Sequence, residues 1–153
     1  MGLKALLPLC ALVAGCTAEK SPSYTVQANG MRVPELDLSQ GLLEKKEISK
    51  EGISITVHKI DRNNDRKADL AMLYIRTSKG DMRQIIDDNN LDGLADWTYI
   101  DNFNNKGEYG KPDGIYDMGF STEMQCEGVL EKKPTKDSLE FENFLDAYTR
   151  SFK

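Results

Sequence analysis

The sequence predicts an α+β fold, in which a small antiparallel β-meander with tight acidic hairpin loops precedes a C-terminal amphipathic helix. From Ile53 onward, apolar residues recur at every second position, which is the period of a half-buried strand. Near the C-terminus the apolar spacing changes to three and four residues, which is the period of a helix face. The 153 residues are enough for one domain with a hydrophobic core.

The strand assignments follow from this alternation and from the turn residues between apolar runs. Ile53, Ile55 and Val57 alternate with polar neighbours and predict the first strand. Further strands are predicted over residues 70–77, 82–86, 97–103 and 115–121, with a turn at 78–81. Upstream of them, the loose apolar spacing of residues 36–48 predicts a short helix, which Gly41 weakens.

A second helix is predicted over residues 138–153. One stripe of its surface is apolar and consists of Phe141, Phe144, Leu145, Tyr148 and Phe152. Asp137 is the predicted N-cap, with Glu140 three residues later. We expect this stripe to pack against the sheet.

The N-terminus has the parts of a secretory signal. Lys4 supplies a positive charge, residues 5–14 are apolar apart from Pro8, and the run ends at Val13-Ala14-Gly15-Cys16. This ending resembles the lipobox of prokaryotic lipoproteins, which implies cleavage before Cys16 and a covalent diacylglycerol on its thiol. The run is too short for a transmembrane helix, and Leu6 stands where N-myristoylation needs Ser or Thr. A soluble secreted protein with a chance cysteine is the alternative.

This resemblance sets the expected domain organisation. Residues 1–15 form the signal peptide, residues 16–34 form the lipidated N-terminus and a flexible tether, and residues 35–153 form one β-rich domain. The tether is rich in Pro, Ser and Asn-Gly, which favour irregular chain. Because Thr17 rather than Asp follows the cysteine, the family's behaviour implies anchoring at the cell envelope, in the outer membrane or at the cell surface.

Charge and cysteine content restrict the function. The net charge is −5, and the chain has no basic stripe that could neutralise nucleic-acid phosphates. Eleven of the fourteen Asp, but only one of the eleven Glu, lie between positions 61 and 117, which indicates turns or cation sites. Cys126 is the one cysteine left outside the leader and the lipid site, so an intramolecular disulfide framework is excluded.

Two segments place side-chain oxygens at the same four positions. Positions 1, 3, 5 and 9 are Asp61, Asn63, Asp65 and Asp69 in the first segment and Asp88, Asn90, Asp92 and Asp96 in the second, which adds Gly93 at position 6. Alternate side chains in a tight loop point inward, and a backbone carbonyl at position 7, from Lys67 or Leu94, adds another oxygen. Calcium takes six to eight such oxygens. The pattern therefore predicts calcium sites.

This loop pattern, followed by a β-like run, resembles the calcium hairpins of FG-GAP and VCBS repeats. The resemblance implies that each loop joins two antiparallel strands and that calcium fixes loop geometry without acting in catalysis. Position 12 is Met72 or Tyr99, where an EF-hand or dockerin loop has Glu. In the first segment Arg66 replaces Gly, and Arg62 and Lys67 add positive charge, so we expect a degenerate copy held by ion pairs. Hairpin turns without metal are the alternative.

A third segment matches the pattern only in part. Asp113, Gly114 and Asp117 fit positions 5, 6 and 9, but Tyr109 and Lys111 occupy positions 1 and 3. We predict a turn here, to which Asn104, Asn105 and Glu108 add oxygens if the chain folds back.

Catalytic patterns do not emerge from the sequence. His58, the only histidine, lies on the polar phase of a strand, and one histidine cannot build a common zinc site. We therefore expect a lipid-anchored, calcium-stabilised envelope module with a structural or adhesive role, binding the membrane through lipid and a protein or glycan through its surface. The alternatives are a small envelope hydrolase that uses Asp residues and a metal-free lipoprotein. The sequence does not define the oligomeric state.

Overall fold

The computed structural model describes residues 21–124 and 134–152 and is built almost entirely from antiparallel strands. The strands are β1 (Tyr24–Val26), β2 (Arg32–Pro34), β3 (Leu42–Lys50), β4 (Ile53–Ile60), β5 (Leu70–Thr77), β6 (Gly80–Asp87), β7 (Trp97–Asp101) and β8 (Met118–Ser121). The helices are α1 (Lys136–Leu139) and α2 (Phe141–Ser151). Strands β3 to β8 form one sheet in chain order, and β1 pairs with β2. The predicted meander with a C-terminal helix is confirmed.

The strand bounds agree closely with the alternation. The predicted strand at 70–77 matches β5, and the predicted strand at 82–86 lies within β6. Strand β7 ends at Asp101, two residues before the predicted limit, and β8 begins at Met118, three residues after it. In the residues that the structure describes, no helix has the length and apolar character needed to cross a membrane.

The helix predicted over residues 36–48 is wrong, because strand β3 occupies most of this stretch. Strand β3 pairs along the whole of β4, and Lys50 lies opposite Ile53 across a two-residue turn. Glu51 and Gly52 both have positive φ in this turn, as a type I′ hairpin requires. Ladder hydrogen bonds and the packing of Ile48 against the core therefore outweigh a weak helical spacing.

The main core lies between one face of the sheet and helix α2. Ile55, Val57, Leu73, Ile75 and Ile86 meet the helix side chains Phe141, Phe144, Leu145 and Tyr148 in one buried cluster. These four helix residues belong to the predicted apolar stripe, and all of them are buried. Packing of the stripe on the sheet is thus confirmed.

The opposite face of the sheet carries a smaller core beneath the β1–β2 hairpin. Val33 of the hairpin is buried with Ile60, Leu70 and Ile85. Residues 24–34 therefore form a packed hairpin in a stretch where we expected a flexible tether. The Asn29 side chain anchors the turn of this hairpin to a distant part of the chain, because its Nδ2 donates to the Tyr116 carbonyl at 2.8 Å.

The C-terminal helix begins differently from the prediction. Thr135, and not Asp137, caps α1 through a capping box with Ser138. Glu140 then leaves helical geometry, with φ −55° and ψ 132°, and caps α2 by accepting from the Asn143 N–H. The break at Glu140 lets this residue form an antiparallel bridge with Leu94. Lys153 lies outside the described residues.

Candidate functional site: three aspartate loops

Two predicted loops connect neighbouring strands, and both lie at the same end of the sheet. Loop one (residues 61–69) joins β4 to β5, and loop two (residues 88–96) joins β6 to β7. Both pairs of flanking strands are antiparallel neighbours. Each loop therefore joins the two antiparallel strands of a hairpin.

Loop two is closed by hydrogen bonds from backbone N–H groups to its own acidic side chains. The Asp88 carboxylate accepts from the N–H groups of Asp92 at 3.1 Å and Gly93 at 2.7 Å. Asn90 Oδ1 accepts from the Asp92 N–H at 3.0 Å, and Asp92 Oδ1 accepts from the Leu94 N–H at 2.9 Å. Asp96 Oδ2 accepts from the Asn89 N–H at 3.0 Å. All four predicted side-chain ligands therefore accept hydrogen bonds from backbone N–H groups of the same loop.

Loop one repeats this geometry position by position. The Asp61 carboxylate accepts from the N–H groups of Asp65 at 3.3 Å and Arg66 at 2.7 Å. Asn63 Oδ1 accepts from the Asp65 N–H, and Asp65 Oδ1 accepts from the Lys67 N–H. The Asp69 carboxylate accepts from the Arg62 N–H at 2.9 Å, as Asp96 does from Asn89. Arg66 has φ 69° where loop two has Gly93 at φ 88°.

A third loop has several of the same hydrogen bonds, although the sequence pattern found only part of it. Loop three (residues 101–117) joins β7 to β8, and its first carboxylate is Asp101. Asp101 accepts from the N–H groups of Asp113 at 3.3 Å and Gly114 at 2.8 Å, and Asp113 accepts from the Ile115 N–H. Asp117 accepts from the Asn102 N–H at 2.8 Å. The segment therefore repeats the bonds at positions 1, 5 and 9 around an insertion, but Lys111 stands at position 3, where loops one and two have Asn.

The insertion explains why Asp101 was missed. In loop two the residues at positions 1 and 5 are four apart, whereas Asp101 and Asp113 are twelve apart. The inserted chain folds back on itself, with Phe103 bridged to Tyr109. Its polar side chains bond one another, since Asn104 Nδ2 donates to Glu108 Oε2 at 2.6 Å. The missed signal is an Asp directly after an apolar strand, which Asp101 shares with Asp61 and Asp88.

Negatively charged side chains repel one another in loops two and three. Burial raises the pKa of the Asp88 carboxyl to about 6, against the N–H bonds from Gly93 and Asp92, and the nearby charges of Asp92 and Asp96 raise it as well. Burial also raises the pKa of Asp101, and the charges of Asp117 and Asp113 act in the same direction. Both loops thus hold three acidic groups close enough to repel one another.

Loop one differs because an arginine forms an ion pair with one of its acidic groups. Arg62 Nε pairs with Asp69 at 2.6 Å, and Arg62 Nη2 pairs with Asp87 at 2.6 Å. The Asp87 side chain is fully buried and also accepts from the Tyr24 hydroxyl at 2.9 Å. Burial raises the pKa of Asp87, and the Arg62 guanidinium opposes that shift. The ion pair expected in loop one is present, and it extends to loop two and to the β1–β2 hairpin.

Loop two is also fixed to the C-terminal helices. The Ala95 N–H donates to the Leu139 carbonyl at 2.7 Å, and the Phe141 N–H donates to the Gly93 carbonyl at 2.9 Å. The carbonyl of Leu94, the expected seventh-position oxygen, lies between these two bonds. Any ligand that tightens loop two therefore also affects the docking of α1 and α2.

Some of the sequence hypotheses lie beyond these loops. Cys16, the expected lipid site, and Cys126 fall outside the described residues. Within residues 21–124 and 134–152, no three His, Cys, Asp or Glu side chains converge as a ready metal cage. The comparisons of the whole chain with protein-family models, with curated proteins and with solved structures gave no match.

Proposed function

We propose that this chain is a lipid-anchored cell-envelope protein whose acidic hairpin loops are stabilised by calcium, and that it acts as a structural or adhesive binding module. The anchor is diacylglycerol on Cys16, following the lipobox resemblance at Val13–Cys16. Loop two is the principal calcium site. Its ligands are the side chains of Asp88, Asn90, Asp92 and Asp96 and the Leu94 carbonyl, with the matching oxygens of loop one, from Asp61, Asn63, Asp65, Lys67 and Asp69, as a weaker second site.

The observation that carries the proposal is that the Asp88 carboxyl, buried in loop two, is subject to the negative charges of Asp92 and Asp96. Two carboxylates about 4 Å apart repel by roughly 4 kcal/mol at an effective dielectric of 20. Burial is the main cause of the raised pKa of Asp88, and the charges of Asp92 and Asp96 raise it further. A hard dication removes the repulsion, and carboxylate, amide and carbonyl oxygens are the ligands it prefers.

Loop one supports the proposal by contrast. The Arg62 guanidinium occupies the carboxylate of Asp69 there, so part of the negative charge is already balanced. In loop two no Lys or Arg of the described residues forms an ion pair with Asp88, Asp92 or Asp96. We therefore expect loop two to bind calcium more tightly than loop one.

A metal-free loop is the competing reading, because the backbone N–H bonds close all three loops without a cation. The two readings differ in what happens when one carboxylate is neutralised. Under the calcium proposal, Asp92→Asn and Asp96→Asn weaken calcium binding by about tenfold or more, since a charge-assisted contact contributes roughly 1.5–3 kcal/mol. Without a metal, the same changes relieve repulsion and stabilise the protein.

The test is calcium titration of these variants by calorimetry. Asp146→Asn is the matched control, because it removes the same charge from an exposed position on α2, away from the loops. Equal calcium affinity in Asp92→Asn, Asp96→Asn and the control would contradict the proposal. The anchor is tested separately by mass spectrometry, which should find a diacylglyceryl adduct on Cys16 that Cys16→Ser lacks.

A further inference from the structure

An open cleft lies between the β1–β2 hairpin and the end of the sheet beside loop two. Its volume is about 470 Å³, within the range typical of small-molecule sites. The lining residues are Tyr24, Met31, Arg32, Asn89, Trp97, Tyr99 and Gly119. Tyr99 lies opposite Gly119 across the β7–β8 ladder, and a Cβ at Gly119 would lie 3.2 Å from the Tyr99 ring. A side chain at position 119 would therefore crowd the Tyr99 ring, which lines the cleft.

The groups that face this cleft are aromatic rings and hydrogen-bond donors, and no lining residue is acidic. Trp97 is 39% exposed although it begins β7, which pairs with a strand on each side. The Arg32 guanidinium lies 4.5 Å from the centre of the Tyr24 ring and forms no ion pair within the described part of the chain. Burial raises the pKa of Tyr99 to about 12, so its hydroxyl stays protonated.

We propose that this cleft binds an acidic saccharide, with a sugar ring against Trp97 and its carboxylate paired with Arg32. The C–H face of a sugar ring packs well on an exposed aromatic surface, and a guanidinium matches a carboxylate with two parallel hydrogen bonds. The Asn89 amide, at the start of loop two, can bond a ring hydroxyl. This inference rests on the binding role proposed above and names the chemistry of its ligand.

The cleft is linked to the loop through Asn89. Its N–H donates to Asp96, one of the expected calcium ligands, so the loop sets the position of the Asn89 side chain. The binding of saccharide itself depends on Trp97 and Arg32, which lie on β7 and β2 outside the loop. Failure of the calcium proposal and failure of the saccharide proposal are therefore separate results.

The test uses the fluorescence of Trp97, which is the only tryptophan of the chain. Trigalacturonate is titrated into the full chain in detergent micelles, once with calcium and once with a chelator. We expect a saturable change of Trp97 emission, and an affinity at least about tenfold lower for the methyl-esterified trimer, in which neutral methyl esters replace the carboxylates. No emission change, or equal binding of the ester, overturns the proposal, whatever calcium does to the melting temperature.

A matched pair of variants tests whether Arg32 supplies the positive charge that binds the carboxylate of the saccharide. Arg32→Gln should weaken trigalacturonate binding about tenfold, the size expected for a charge-assisted pair. Arg76→Gln is the control, because Arg76 is also exposed and also lies over a tyrosine, 5.0 Å from the Tyr74 ring, but outside the cleft. Equal weakening in both variants would show a general charge effect and would contradict the assignment. If Arg32→Gln lowers the melting temperature, the ester comparison on the unaltered chain still decides.

Discussion

Replacement of Arg62 by Met removes the cation that joins loop one, loop two and the β1–β2 hairpin. The Arg62 side chain is only 10% exposed, and its partners Asp69 and Asp87 are 6% and 0% exposed. The variant leaves both carboxylates buried without a positive charge. Removing one member of a buried ion pair costs about 3–5 kcal/mol, because the remaining charge stays desolvated.

The loss of folding stability in Arg62→Met should increase with pH. Burial raises the pKa of Asp87 and of Asp69, and Arg62 lowers both. In Arg62→Met these folded-state pKa values rise further. Carboxyl groups with a raised folded-state pKa contribute stability below their unfolded-state pKa of about 4, and that contribution is lost as the pH rises through the folded-state value. The stability difference from the unaltered protein should therefore be larger at about pH 7 than at about pH 4.

The assay is urea denaturation followed by Trp97 fluorescence. Arg66→Met is the matched control, because it makes the same chemical change at an exposed residue four positions later in the same loop. The addition of Asp87→Asn to Arg62→Met should restore at least about 1 kcal/mol, since it removes one uncompensated charge. A loss below about 1 kcal/mol in Arg62→Met, equal to that of the control, would refute the role assigned to the buried pair.

Three further changes test the loops. Arg66→Gly should stabilise the protein by about 0.5–1 kcal/mol in chemical denaturation, because φ 69° strains a residue with a Cβ; destabilisation would contradict this. Gly41→Ala should destabilise by about 2 kcal/mol or more, because a Cβ would overlap the Asp61 carbonyl at 2.0 Å; an unchanged midpoint would count against the contact. Since the pKa of Asp88 is about 6, the calcium-free protein should lose stability as the pH rises from about 4 to 7, and calcium affinity should fall below about pH 6. A pH-independent calcium affinity would argue against Asp88 as a ligand.

The sequence predicted the parts of the fold whose side chains alternate cleanly. Ile53, Ile55 and Val57 are separated by polar residues, and this pattern depends only on one strand facing a core. Strand β3 escaped prediction because charged residues fill both of its faces, from Glu44 to Glu47, and its place in the sheet comes from pairing with β4. Edge strands commonly carry such charges, which hide the β period.

The candidate site was predicted only where its residues are close in sequence. The spacing in loops one and two is a local property, so the sequence pattern singled out residues whose side chains the structure places within one loop each. Asp101 could not be assigned to loop three from the sequence, because the inserted chain separates it from Asp113. Only the pairing of the strands shows that Asp101 begins a loop. The contact of Arg62 with Asp87 was equally hidden, because it joins a residue of loop one to the last residue of β6, 25 positions away.

The N-terminal hairpin also could not be predicted from local sequence patterns. Asn29 and Gly30 indicate a turn, but short strands with few apolar residues read as irregular chain. Their order comes from distant contacts, in which Tyr24 bonds Asp87 and Asn29 bonds the Tyr116 carbonyl. Local patterns cannot report such contacts.

The most direct measurement of the calcium proposal is the melting temperature of the full chain in about 2 mM calcium and then in excess chelator. Extracellular modules bind calcium with dissociation constants of about 0.1–1 mM, which corresponds to roughly 0.6–1.8 kcal/mol of stabilisation at that concentration. For a chain of this length the melting temperature should rise by about 1–7 °C with calcium. An identical melting temperature in calcium and in chelator would contradict calcium binding by the aspartate loops.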